Sequence, residues 1–101
     1  MKTVCGNTDI EYDGVYAGDL LSRAMSHVKQ DNLWITIMSN TNVIAVASLT
    51  ECAAVILAED VELIPEALDA AVEHGITVLS SSMPVYEICA SISEAEDGAP
   101  V

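Results

Sequence analysis

A chain of 101 residues is one domain, and with about half of it apolar but no Phe, one Trp and three Tyr, its core must come from Val, Ile, Leu, Ala and Met. Sixteen Asp and Glu against three bases, Lys2, Arg23 and Lys29, leave a net charge of −13. That charge repels phosphate backbones and anionic lipid, which argues against nucleic acid and membrane surfaces as partners.

Residues 2–5 and 10–12 are short strand candidates, parted by the turn-forming pair Gly6-Asn7. Asp13-Gly14 and Ala17-Gly18 punctuate the next stretch. Two glycines four apart, outside a helix, point to tight turns or a close approach of backbone. Asp19 opens a helix over residues 20–29, in which Leu20, Leu21, Ala24, Met25 and Val28 recur at helical spacing. Asp19 is its N-cap, and Lys29 suits its C-terminal end. Ser22, Arg23, Ser26 and His27 fall on the opposite face, where water is their natural partner.

The chain is organised around residues 33–60, which read as strand, polar turn, apolar helix, strand. Asp31-Asn32 breaks the chain before the first strand, residues 33–38. Residues 42–50 contain β-branched Val43, Ile44 and Val46, but a crossover between parallel strands needs roughly ten residues. Length therefore favours a helix, with Asn40 or Thr41 as its cap. This helix is apolar nearly all round, so more than one side must be covered, and a symmetric partner chain can supply the second cover. Residues 54–57 form the next strand, whose lack of alternation suits a parallel sheet buried on both faces.

Residues 60–63 are a loop, and Pro65 begins a helix over residues 66–74 that Gly75 ends. Its inward side is Leu68, Ala71 and Val72, and its outward side Glu66, Asp69 and Glu73. A strand over residues 76–79 follows, then a turn, Ser80, Ser81 and Ser82, that caps a helix from Met83 or Pro84 to Ser93. Val85, Ile88, Cys89 and Ile92 are its inner face. Residues 1–93 thus make the domain, and acidic residues 94–101 a disordered tail. The element order gives an α/β fold, a single-domain sandwich with a mostly parallel sheet flanked by helices. There is no internal repeat.

Cys5, Cys52 and Cys89 are odd in number, far apart and without zinc-type spacing to a second Cys or to His27 or His74. Cys52 and Cys89 lie among Ala, Ile and Val, where a free thiol serves as a small apolar group. No leader-like N-terminus and no apolar run of about 18 residues is present, so a cytoplasmic protein with reduced thiols is expected.

Phosphoryl transfer needs cations and a phosphate cradle, and here no Gly-x-x-x-x-Gly-Lys-Ser/Thr loop exists and no lysine follows Lys29. Ser80 to Ser82 have no His close in sequence to activate a nucleophile. Neither a catalytic set, a metal nor a cofactor is expected. Open α/β sheets bind ligands at the carboxyl ends of their strands, near helix N-termini. That brings forward Ser39, Asn40, Thr41 and Asn42 with Ser80, Ser81 and Ser82, and Gly18 and Asp19 alongside, as a site for a small polar or anionic ligand. The same residues are also good helix caps.

The span from Gly14 to Ile92 resembles the DRTGG domain family. The resemblance is carried by Gly18-Asp19-Leu20-Leu21-Ser22, the Trp34-Ile35-Thr36-Ile37 strand, the helix at residues 42–47 and His74-Gly75-Ile76, in that order. It implies a fold similar to the N-terminal domain of HPr kinase/phosphorylase, and a regulatory or interaction module without known catalysis. Such modules occur as single small proteins, beside CBS domains or within phosphotransacetylase-type chains. Where the family name spells Asp-Arg-Thr-Gly-Gly, this chain has Tyr12-Asp13-Gly14-Val15-Tyr16-Ala17-Gly18. The arginine is missing, and no anion contact of that residue carries over. The expected protein is a non-catalytic module, homodimeric, that senses a small ligand or docks on a partner enzyme. The alternatives are a small enzyme acting on a metabolite through the polar turns, and a structural acidic adaptor for a basic partner.

Overall fold

Runs of bulky and β-branched residues without alternation become the middle of a sheet, because both of their faces are then covered. In the computed structural model, which describes residues 1–7 and 9–97, this holds for Asn32–Thr36 (β3) and Ala54–Leu57 (β4). The other strands are Lys2–Cys5 (β1), Gly14–Ala17 (β2) and Val78–Ser80 (β5), and the sheet order is β1-β5-β4-β3-β2. From β2 to β5 every pairing is parallel, while β1 runs antiparallel along β5.

The helices are Leu21–His27 (α1), Thr41–Thr50 (α2), Pro65–His74 (α3) and Val85–Asp97 (α4). Each crossover from β2 to β5 steps to the next strand in one direction, and right-handed crossovers then lay α1, α2 and α3 on one face. Side chains confirm the layering. Trp34, Val55, Leu57 and Val78 pack with Ala24, Val43, Ile44, Ala47, Ala67 and Ala71 on the three-helix face. Leu33, Ile35, Ala54 and Ile56 pack with Ile88 and Ile92 of α4 on the other. The period-two alternation is intact within residues 33–35 and 54–57, where no polar residue marks it.

Several elements differ from their sequence reading. Residues 10–12 are not a strand, and the glycine-punctuated stretch after them holds β2, whose Tyr16 pairs with Trp34. Pairing with β3 overrides the turn signals, and a Cβ on Gly14 would stand 2.8 Å from the Asn32 Oδ1, the end of a side chain that can turn aside. The helix expected over residues 20–29 is shorter, and its N-cap is Leu20 without a side-chain bond, not Asp19. In α1 only Ala24 is buried, and Met25 is 52% exposed. In α3 the buried pair is Ala67 and Ala71, while Val72 is 63% exposed. Alanines let α3 lie close to the sheet, and larger side chains sit at its margins. The final helix runs past Ser93 through Asp97, so residues 94–97 of the expected tail are helical, and residues 98–101 lie outside the described residues.

The all-round apolar character of α2 has an internal cause. The helix lies between α1 and α3 with the sheet beneath it, burying Val43, Ile44, Val46 and Ala47. The second cover that its sequence asks for comes from the same chain, which removes the ground for expecting a partner chain there. Leu49, 67% exposed, is the large apolar residue it leaves in water.

Candidate functional site

β4 and β5 are parallel neighbours whose following helices go to opposite faces, α3 to the three-helix side and α4 to the other. At such a split the loops diverge and leave a crevice at the carboxyl ends of the strands. A cavity of about 420 Å³ opens there. Asp60, Val61, Glu62 and Leu63 of the β4–α3 loop form one wall and Lys2, Thr3 and Val4 of β1 the other, with Ser80 and Leu68 completing it. A smaller hollow of about 320 Å³ shares Lys2, Asp60 and Ser80 and adds Met1, Ser81 and Ser82.

The two loops are laced together by backbone. Glu59 N donates to the Met83 carbonyl (3.1 Å), Asp60 N to that of Ser81 (2.9 Å), and Ser81 N to that of Leu57 (2.9 Å). The Ser81 hydroxyl accepts from Met83 N at 3.1 Å, tightening the turn ahead of α4. Glu59 and Asp60 both hold the left-handed backbone, each at φ 58°. Such residues cost on the order of 1–3 kcal/mol each and persist only where their surroundings enforce them. The lining therefore sets one ammonium, from Lys2, among two carboxylates, from Asp60 and Glu62, with hydroxyls from Thr3, Ser80, Ser81 and Ser82.

The sequence-predicted site residues divide into two groups. Ser80, Ser81 and Ser82 line the crevice or its extension. Gly18, Asp19, Ser39, Asn40, Thr41 and Asn42 stand at the ends of β2 and β3 and line neither hollow. Asp19 Oδ1 accepts from the Thr36 hydroxyl (2.8 Å) and from Ile37 N (3.0 Å), so its carboxylate ties the exit of β2 to the end of β3. Gly18 donates to the Ile35 carbonyl and accepts from the Trp34 indole, both at 3.1 Å, and a Cβ there would come within 3.0 Å of the Tyr16 ring. Asn40 Oδ1 accepts from Asn42 N (3.0 Å) and Val43 N (3.3 Å), which makes it the cap of α2. Ser39 contributes its carbonyl to Ile64 N at 3.2 Å, joining two loops.

Lys2, Thr3, Asp60 and Glu62 were not singled out from the sequence. The charged pair Glu59-Asp60 at the end of an apolar strand was the available signal. Lys2 becomes part of the site only through the antiparallel pairing of Lys2 with Ser80, which no local pattern announces.

The cysteines are free and lie elsewhere. Burial pushes the Cys52 thiol up to about 11 and raises that of Cys5. His27 rests over the Tyr16 ring, centroids 6.2 Å apart, with its Nδ1 2.9 Å from the Arg23 carbonyl. Among the described residues no group of three or more His, Cys, Asp or Glu could hold a metal ion, and no helix is long and apolar enough to cross a membrane.

The family model of the DRTGG domain matches residues 3–95, from β1 into α4. The chain belongs to the DRTGG domain family. No curated protein matches it. Residues 12–18 of this DRTGG domain are the approach to β2, the strand itself and its exit. The family is one of regulatory modules, not of catalytic units.

Proposed function

We propose that this DRTGG domain is a non-catalytic regulatory module that takes a small polar ligand in the crevice at the carboxyl ends of β4 and β5. The observation that carries this reading is the cavity of about 420 Å³ at the split between α3 and α4. Its lining suits a molecule with an anionic group for Lys2 and the serine and threonine hydroxyls, and a hydroxyl or amine for Asp60 and Glu62. Val4, Leu63 and Leu68 offer apolar surface for the remainder. Left-handed Asp60 in its wall also fits a site where backbone strain is kept for binding.

A thermal-shift screen of the full chain tests the proposal, with inorganic phosphate, acyl phosphates, nucleotides and phosphosugars as probes. A binder at about one hundred times its Kd adds roughly 2.7 kcal/mol, a shift of several degrees in Tm for a domain of this size. Lys2→Ala and Ser82→Ala should each weaken that binder while leaving the Tm of the free protein within about 1 °C, since both residues are exposed. A binder indifferent to both substitutions places its site elsewhere and overturns the reading.

A further inference from the structure

The face of the sheet opposite α1, α2 and α3 is covered by one helix, and one helix does not reach across it. Beside α4 runs an open groove of about 280 Å³. Leu33, Ile56 and Leu79 floor it, and Ile92 of α4 faces Ile10 and Tyr12 of the segment leading into β2. At Tyr12 the groove meets a cleft of about 250 Å³ whose other lining residues, Glu11, Asp13 and Asp31, are all acids. Glu96 reaches the same corner: after burial, its carboxylate is the next cause holding the Tyr12 phenol above its ordinary range. None of the three bases lines groove or cleft, although Lys29 stands in the turn that carries Asp31.

We propose that this groove docks an amphipathic segment of a partner protein, its apolar side chains in the groove and its Lys or Arg residues against Glu11, Asp13 and Asp31. Charge selects this occupant. An anionic membrane is repelled by the carboxylates at the groove's end, and a second copy of a chain at −13 brings no basic match. Apolar anchors with a charged margin are the usual anatomy of a helix held in a groove. The groove lies apart from the main crevice, although Met1 lines both it and the smaller hollow, and consecutive residues of β5 serve the two: Leu79 lines the groove and Ser80 the crevice.

The probe is a synthetic amphipathic peptide of leucine and lysine, titrated into the full chain and followed by the methyl resonances of Leu33, Ile56, Leu79 and Ile92. A leucine–glutamate peptide of the same pattern and dodecanol serve as comparisons. The leucine–lysine peptide is expected to shift these methyls, and its affinity to fall about tenfold or more between low and high salt. Glu11→Lys with Asp13→Lys should reduce it similarly, and Ala95→Trp, which fills the groove from an exposed helix position, should remove the methyl shifts with the fold intact by circular dichroism. An equal response to the glutamate peptide or to dodecanol would make this an apolar small-molecule pocket and overturn the proposal. Undisturbed groove methyls, or binding that survives Ala95→Trp, would overturn it as well.

Discussion

Asp19 and Asn40 look alike in the sequence, each a small polar residue ahead of a helix, and they end in different roles. Asn40 caps α2 through its own side chain, so Asn40→Ala should cost about 1 kcal/mol, the usual value of a lost cap. Asp19 caps nothing, and its carboxylate receives the hydroxyl of fully buried Thr36 together with Ile37 N. Asp19→Ala strands that hydroxyl and should cost more, about 2–3 kcal/mol in urea unfolding. Neither change should alter affinity at the crevice; an Asn40→Ala protein of normal stability that had lost its ligand would move the site to the α2 turn. Cys52 sets the alkaline limit in a similar local way. Its folded thiol keeps its proton to about 11, whereas an unfolded one loses it near 9, so stability falls as pH rises from 9 to about 11. The stability lost by pH 11 should reach about 2–3 kcal/mol, and Cys52→Ala should flatten that part of the profile relative to the parent.

Elements whose burial is written in their own residues were legible. The strand at residues 54–57 was readable to the residue, because an uninterrupted apolar run ending in Glu59-Asp60 has few other uses in an α/β chain. The length of α2 followed from the crossover it must make. β2 was not legible: Gly14 and Gly18 signal tight turns or a close approach of backbone, and the parallel pairing that sets Tyr16 beside Trp34 is not written in either. The inward side of α3 was misread toward Val72 because hydrophobicity ranks valine above alanine, while a tight helix–sheet contact selects Ala67 and Ala71. Of the candidate site, Ser80 to Ser82 follow from the rule that ligands lie at strand carboxyl ends; the β4–α3 loop residues do not, and the part made by β1 does not either, since it depends on long-range pairing. That attachment is anchored at Gly6, with φ at 90° and a would-be Cβ 2.5 Å from the Thr77 Cα. Gly6→Ala should therefore lower Tm far more than Gly75→Ala, which changes a left-handed residue in open space and should cost only about 1 kcal/mol.

At the scale of the molecule, the sheet is dressed unequally, with three helices on one face and one on the other. Right-handed crossovers impose this, since a chain that steps in a single direction across a sheet keeps its helices on one side. Both candidate binding regions come from that asymmetry. The crevice opens where α4 breaks the pattern by crossing to the bare face, and the groove is what α4 fails to cover there. An acidic exterior completes the arrangement, since at a net charge of −13 the surface repels other acidic surfaces.

β1 adds a dimension of time. The strands β2 to β5 each pair with the one made just before or just after, so most of the sheet can form between neighbours in the chain. β1 has no such neighbour: Cys5 finds the Ile76 carbonyl 71 residues away, and closing so long a loop is slow. The first strand must wait unpaired until the last one exists, and Lys2 and Thr3 wait with it. A partly folded chain can therefore own its three-helix face and still lack a wall of the crevice. A ligand placed in the crevice as proposed would need β1 to be paired first.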